Sequence, residues 1–107
     1  MSQKGCVFNN GILAGEIEKK GDEYVFRYDE KYYSDHNKKA ISLTLPKKKR
    51  EYKSRKLFSF FYGLLAEGMT KEIQCQKLKI DENDHFTRLL KTTNSDTIGG
   101  ITIKEVK

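Results

Sequence analysis

Tryptophan is absent from this sequence, proline occurs once, and there are two cysteines among 107 residues. Cys6 and Cys75 stand alone, without the close spacing that a disulfide framework or a cysteine-built zinc site needs. They read as reduced, mostly structural thiols of an intracellular chain, with Cys75 packing half-buried on a helix rather than reacting. No apolar run approaches the ~20 residues that cross a bilayer. The opening, MSQKGCVFNN, lacks the apolar stretch of a secretory signal. A cytoplasmic chain without membrane contact is the expectation.

Catalytic motifs are missing as well. There is no Walker A loop, no G-x-G-x-x-G, no nucleophile elbow and no His/Cys cluster. His36 and His85 are far apart in polar surroundings and read as solvated single residues, because metal sites group three or four donors. The acidic run DEND at 81–84 lacks the glycine and the closing glutamate of a calcium loop, and reads as a helix cap. The chain is therefore expected to be no enzyme, to hold no metal and to need no cofactor.

What is present is charge and aromatics. Apolar residues make up 36% and charged residues 34%; with six Phe and six Tyr this is a folding composition, and the length suits one domain over residues 1–107. The net charge of +6 permits nucleic acid, an acidic membrane surface or an acidic protein as partner, without choosing among them. Lys47, Lys48, Lys49 and Arg50 form a basic run, with Lys53, Arg55 and Lys56 beyond it. Such a run could neutralise several phosphates. No recognition motif accompanies it, so a solvated loop or a protein-facing patch comes first. A small basic nucleic-acid-binding module is the alternative.

The densest apolar pattern is KLFSFFYGLLAEGMT, residues 56–70. Leu57, Phe60, Phe61, Leu64 and Leu65 recur at i, i+3, i+4, i+7 and i+8, which predicts one face of an α-helix. Ser54 is its candidate N-cap and Gly68 its left-handed end, with Thr70 able to cap a second helix over about 71–78. Gly63 falls mid-helix, where it would let a neighbouring backbone approach closely. The second helix has sparse apolar positions and should lie near the surface. A third helix follows the acidic cap, with Phe86, Leu89 and Leu90 at helical spacing.

Strands are read from alternation and turns. Asn10-Gly11 between apolar runs predicts a hairpin, Gly21-Asp22 a second turn, and Tyr24, Phe26 and Tyr28 a third strand. Residues 29–33 read as one helical turn capped by Asp29, with Tyr32 and Tyr33 tucked inward. Ile41, Leu43 and Leu45 alternate with Ser42 and Thr44, predicting a fourth strand stopped by Pro46. Ile101 and Ile103 predict the last.

The pattern FFYGLLAEGMTKEIQ, preceded by ISLTLP and followed by LKIDENDHFTRLLKTTNSDTIGGITI, resembles the N-terminal subdomain of HipA-type serine/threonine kinases. The opening VFNNGILAGEI is similar to it too, so the resemblance runs from about Val7 to Val106. Its most specific parts are residues 41–46, 60–68 and 96–99. It implies an α+β fold: a small antiparallel, partly barrel-like sheet packed with about three helices. The chain ends where the family's kinase core would begin, as in the split HipBST toxin–antitoxin systems, whose small subunit is called HipS. The resemblance then implies a non-catalytic antitoxin or regulatory subunit. Its partners would be a HipT-type kinase toxin and a HipB-type DNA-binding protein. Glu67, Gly68, Met69 and Lys71, at the junction of two helices, are the implied kinase contacts. Ala66 stands where the family often has Pro, and Met69 where standalone members carry a bulky aromatic suited to reach the kinase active site.

Overall fold

The computed structural model describes residues 3–65, 68–93 and 100–106. Five antiparallel strands form one open sheet in the order β4-β3-β2-β1-β5. They are β1 (Gln3–Asn9), β2 (Ile12–Lys20), β3 (Glu23–Tyr28), β4 (Glu51–Ser54) and β5 (Ile101–Val106). The helices are α1 (Glu30–Ser34), α2 (Ser59–Tyr62), α3 (Gly68–Leu78) and α4 (His85–Thr92). The α+β expectation holds.

The β1–β2 hairpin forms at Asn10-Gly11, where φ is 51° and 83°. Positive φ at both central residues is the twist-matched turn that Asn-Gly favours. The register of β1 against β2 shifts at Val7/Phe8, so Val7 faces Gly15 while Phe8 faces Leu13. Ala14 is the bulged residue, and its carbonyl accepts the Asp29 N–H at 2.8 Å. The bulge thereby fixes where α1 leaves the sheet. Asp29 caps α1 as expected, accepting from the Tyr32 N–H.

One face of the sheet is the core. Val7, Ile17, Phe26, Tyr28, Ile101 and Ile103 are buried there with Phe61, Phe86, Leu89 and Leu90. Phe26 meets Phe61 of α2 at 5.6 Å between ring centroids, and Tyr24 meets Phe86 of α4 at 5.7 Å. Tilted aromatic pairs at this range add about 0.5–1.5 kcal/mol each beyond area burial. The other face carries ion pairs: Lys4 to Glu16 at 4.0 Å, and Glu51 to Arg27 and, at 3.7 Å, to Lys53. The Arg27 guanidinium holds the Glu51 carboxyl below its ordinary value.

Several sequence expectations fail. Residues 41–45 are not a strand: Ile41 and Leu45 are buried, but Leu43 is fully exposed, and the Leu45 N–H folds back onto the Ser42 carbonyl at 3.2 Å. A strand would have put all three on one side. The fourth strand is instead Glu51–Ser54, a charged edge strand whose one inward aromatic, Tyr52, pairs with Phe26. Nor is there a helix from 56. Ser54 ends β4, and Phe58 is the N-cap of α2, without a side-chain cap. The apolar stripe continues past Tyr62 through tightened i→i−3 bonds, Leu64 to Phe61 and Leu65 to Tyr62, both 3.1 Å. Gly63 is the C-cap of α2; among the described residues a Cβ there would meet only the Phe60 and Ser59 carbonyls of its own turn, at 3.4 Å, and no neighbouring backbone of another element. Gly68 has the expected left-handed φ, +63°, as the first residue of α3 rather than the end of the preceding helix, so Thr70 lies inside α3.

Candidate functional site

The candidate site lies where α2, α3 and α4 meet. α4 is placed by the expected acidic cap: Asp84 accepts the Thr87 N–H at 3.1 Å and the Thr87 hydroxyl at 2.7 Å. Its inward side, Phe86, Leu89 and Leu90, is fully buried. α3 is held more lightly. Cys75 is its buried residue, more enclosed than a half-buried position, while Ile73 and Leu78 are exposed, as the sparse pattern predicts.

The side chains between these helices form a mixed polar and aromatic corner. The Tyr62 and His85 rings meet edge to face at 5.1 Å. His85 Nδ1 lies 3.2 Å from an Arg88 guanidinium nitrogen, and Arg88, itself buried, also donates to the Glu82 carbonyl at 3.4 Å. Burial pushes the His85 pKa below its ordinary 6.5, and the charges of Arg88 and Lys71 push the same way against Asp84. His85 is thus half-buried between Tyr62 and Arg88 rather than a freely solvated single residue. Its neighbours belong to three different segments, so its sequence surroundings do not reveal it.

The first turn of α3 brings together Gly68, Met69 and Lys71; Glu67 lies outside the described residues, as do residues 96–99. Among the described residues a Cβ at Gly68 would meet nothing within 4 Å, and glycine there serves the left-handed backbone, φ +63°. Met69 is 75% exposed. Tyr62, also exposed, adds aromatic area to the same corner.

The basic run is not a bare row of cations. Lys47 donates to the carbonyls of Asp35 and Lys38, both at 2.7 Å, and its ammonium lies over the Tyr32 ring. Lys49 lies over the Tyr52 ring at 4.6 Å, and Arg50 Nε donates to the Tyr28 carbonyl at 2.9 Å. Lys48 is exposed. Among the described residues no group of three or more His, Cys, Asp or Glu is placed to hold a metal, and no helix is long and apolar enough to cross a membrane.

The family model of the HipA N-terminal domain matches residues 6–104. The chain belongs to that family. A solved structure described as the N-terminal domain of HipA toxin is 27% identical, with a TM-score of 0.73 over 98% of this chain and 93% of that one. No curated protein matches. Membership ties the chain to HipA-related components of toxin–antitoxin systems.

Proposed function

We propose that this HipA N-terminal domain acts as a HipS-like, non-catalytic subunit, one domain over residues 1–107, in the cytoplasm. It binds a HipT-type serine/threonine kinase made as a separate polypeptide and restrains it, with a HipB-type DNA-binding protein in the same complex. The observation that carries this reading is Met69: a large apolar side chain, three-quarters exposed, one residue after a left-handed glycine. Glu67, Gly68, Met69 and Lys71 form the contact tip. Gly68 sets the angle at which α3 starts, Met69 fills an apolar recess on the kinase, and Lys71 and Glu67 supply charge at the rim. Thioether side chains adapt to irregular recesses, which suits Met where a rigid ring would need a closer fit.

Burying one such side chain is worth roughly 1.5–3 kcal/mol, about ten- to hundredfold in affinity. Calorimetric titration of the chain into the HipT-type kinase tests the reading. Binding at micromolar concentration or tighter is the expected result. No heat of binding at that concentration removes it.

A further inference from the structure

The connection from α1 to β4, residues 35–50, has no regular structure of its own. Structureless loops longer than about 12–15 residues are uncommon in compact domains, and usually functional. This one is also built rather than slack. The buried Tyr28 hydroxyl donates to the Leu45 carbonyl and accepts the Ile41 N–H at 3.2 Å, closing the loop at both feet of a tight turn. The Tyr52 hydroxyl donates to the Pro46 carbonyl at 2.5 Å, and the Tyr32 hydroxyl to the Lys39 carbonyl at 2.6 Å. Within the turn the Ser42 hydroxyl accepts the Thr44 N–H at 3.1 Å and lies 2.9 Å from the Thr44 hydroxyl.

What this scaffold holds up is Leu43, which is 99% exposed while Ile41 and Leu45, two positions to either side, are buried. Its apolar surface stays in water while tyrosines from β3, α1 and β4 fix the backbone around it. Ordering of the loop is already complete, and a partner that takes Leu43 would not have to supply it. Beyond Pro46, Lys48, Lys49 and Arg50 are exposed, and Lys49 and Arg50 are held on Tyr52 and Tyr28, the same residues that pin the turn. An apolar knob and fixed cations on one loop pinned by the same tyrosines are complementary to an apolar socket rimmed by carboxylates. Nucleic acid offers the charge, but takes up a leucine only by unstacking bases, at a cost of about a few kcal/mol per step.

We infer that Leu43 is a second anchor of this chain on its kinase partner, seated in an apolar, acid-rimmed socket and steered there by Lys48, Lys49 and Arg50. The inference rests on the kinase-binding reading, and one set of titrations separates the two. Wild-type chain, Leu43→Asp, Leu43→Met and the double variant Lys48→Glu/Lys49→Glu are titrated into the HipT-type kinase, and into duplex DNA. Leu43 touches no core residue, so Leu43→Asp melts at the wild-type temperature. Expected results are at least a tenfold loss of kinase affinity for Leu43→Asp, near-wild-type affinity for Leu43→Met, and for the double variant a slower association that added salt slows less than it slows the wild type. Equal kinase affinity of wild type and Leu43→Asp overturns this inference and leaves the kinase reading standing. No kinase binding by wild type removes both. Loss of duplex DNA binding by the double variant, with kinase affinity unchanged, overturns the inference in favour of a nucleic-acid face.

Discussion

The Tyr28 hydroxyl sits between the two ends of one loop turn, donating to the Leu45 carbonyl while accepting the Ile41 N–H. A single buried oxygen thus satisfies two backbone groups that no strand or helix reaches. Tyr28→Phe keeps the ring contact with Phe26 and removes only that oxygen. Leaving the two groups unpaired should cost about 1–3 kcal/mol, read from urea unfolding, with the Ile41 amide losing its protection against hydrogen exchange. Unchanged stability and protection would contradict this role.

Burial raises the Tyr28 pKa to about 12 from an ordinary 10. The protonated form is the one the fold favours, so its contribution is complete below pH 10 and is lost as pH climbs through about 12. Absorbance titration should show a tyrosinate component with its midpoint near 12 that is missing from Tyr28→Phe. A Tyr28 midpoint at 10 would refute the burial.

Gly15 and Gly63 look alike in the sequence and should respond oppositely to alanine. A Cβ on Gly15 would strike the Arg27 carbonyl oxygen on β3, with the Phe26 ring at 3.1 Å, and neither can move without disturbing the β2–β3 pairing. Gly15→Ala should destabilise by about 1–3 kcal/mol. Gly63 has φ −66° and only ordinary contacts, so Gly63→Ala should be neutral or stabilising by up to about 1 kcal/mol. Thermal melts decide the order; similar losses at both sites would show that the close approach is not confined to the sheet.

These cases mark what the sequence could convey. Asn10-Gly11, Asp84 and the Phe86/Leu89/Leu90 spacing act through neighbours a few residues away, and each forms as predicted. Residues 41–45 were misleading because their alternation was real but its meaning was set by Tyr28 and Tyr52, remote in sequence. The edge strand Glu51–Ser54 hides in a charged stretch, since an edge that faces water carries charge. At the candidate site, Gly68 announces its left-handed backbone, whereas the exposure of Met69 and the contact of His85 with Tyr62 depend on how three helices meet.

His85 offers a solution probe of that corner. Its folded pKa lies below 6.5 and the unfolded chain takes the ordinary value, so between the two the unfolded state binds more protons. Stability should therefore be full above pH 6.5 and fall as pH drops through the folded midpoint. The ring resonances followed by NMR should give a midpoint under 6.5, and Lys71→Met should raise it, because Lys71 is one of the cations pressing it down. A midpoint at or above 6.5 would mean that the α2–α4 corner is open in solution.

The most direct test of the kinase-restraint proposal is phosphoryl transfer by the HipT-type kinase, followed with labelled ATP, in the presence of a saturating amount of this chain. The account predicts that the wild-type chain slows transfer in step with its occupancy of the kinase. It also predicts that Met69→Asp, folded to the same melting temperature, needs roughly ten- to hundredfold more protein for the same effect. A kinase that runs at full rate with the wild-type chain bound, or transfer by this chain alone, would contradict it.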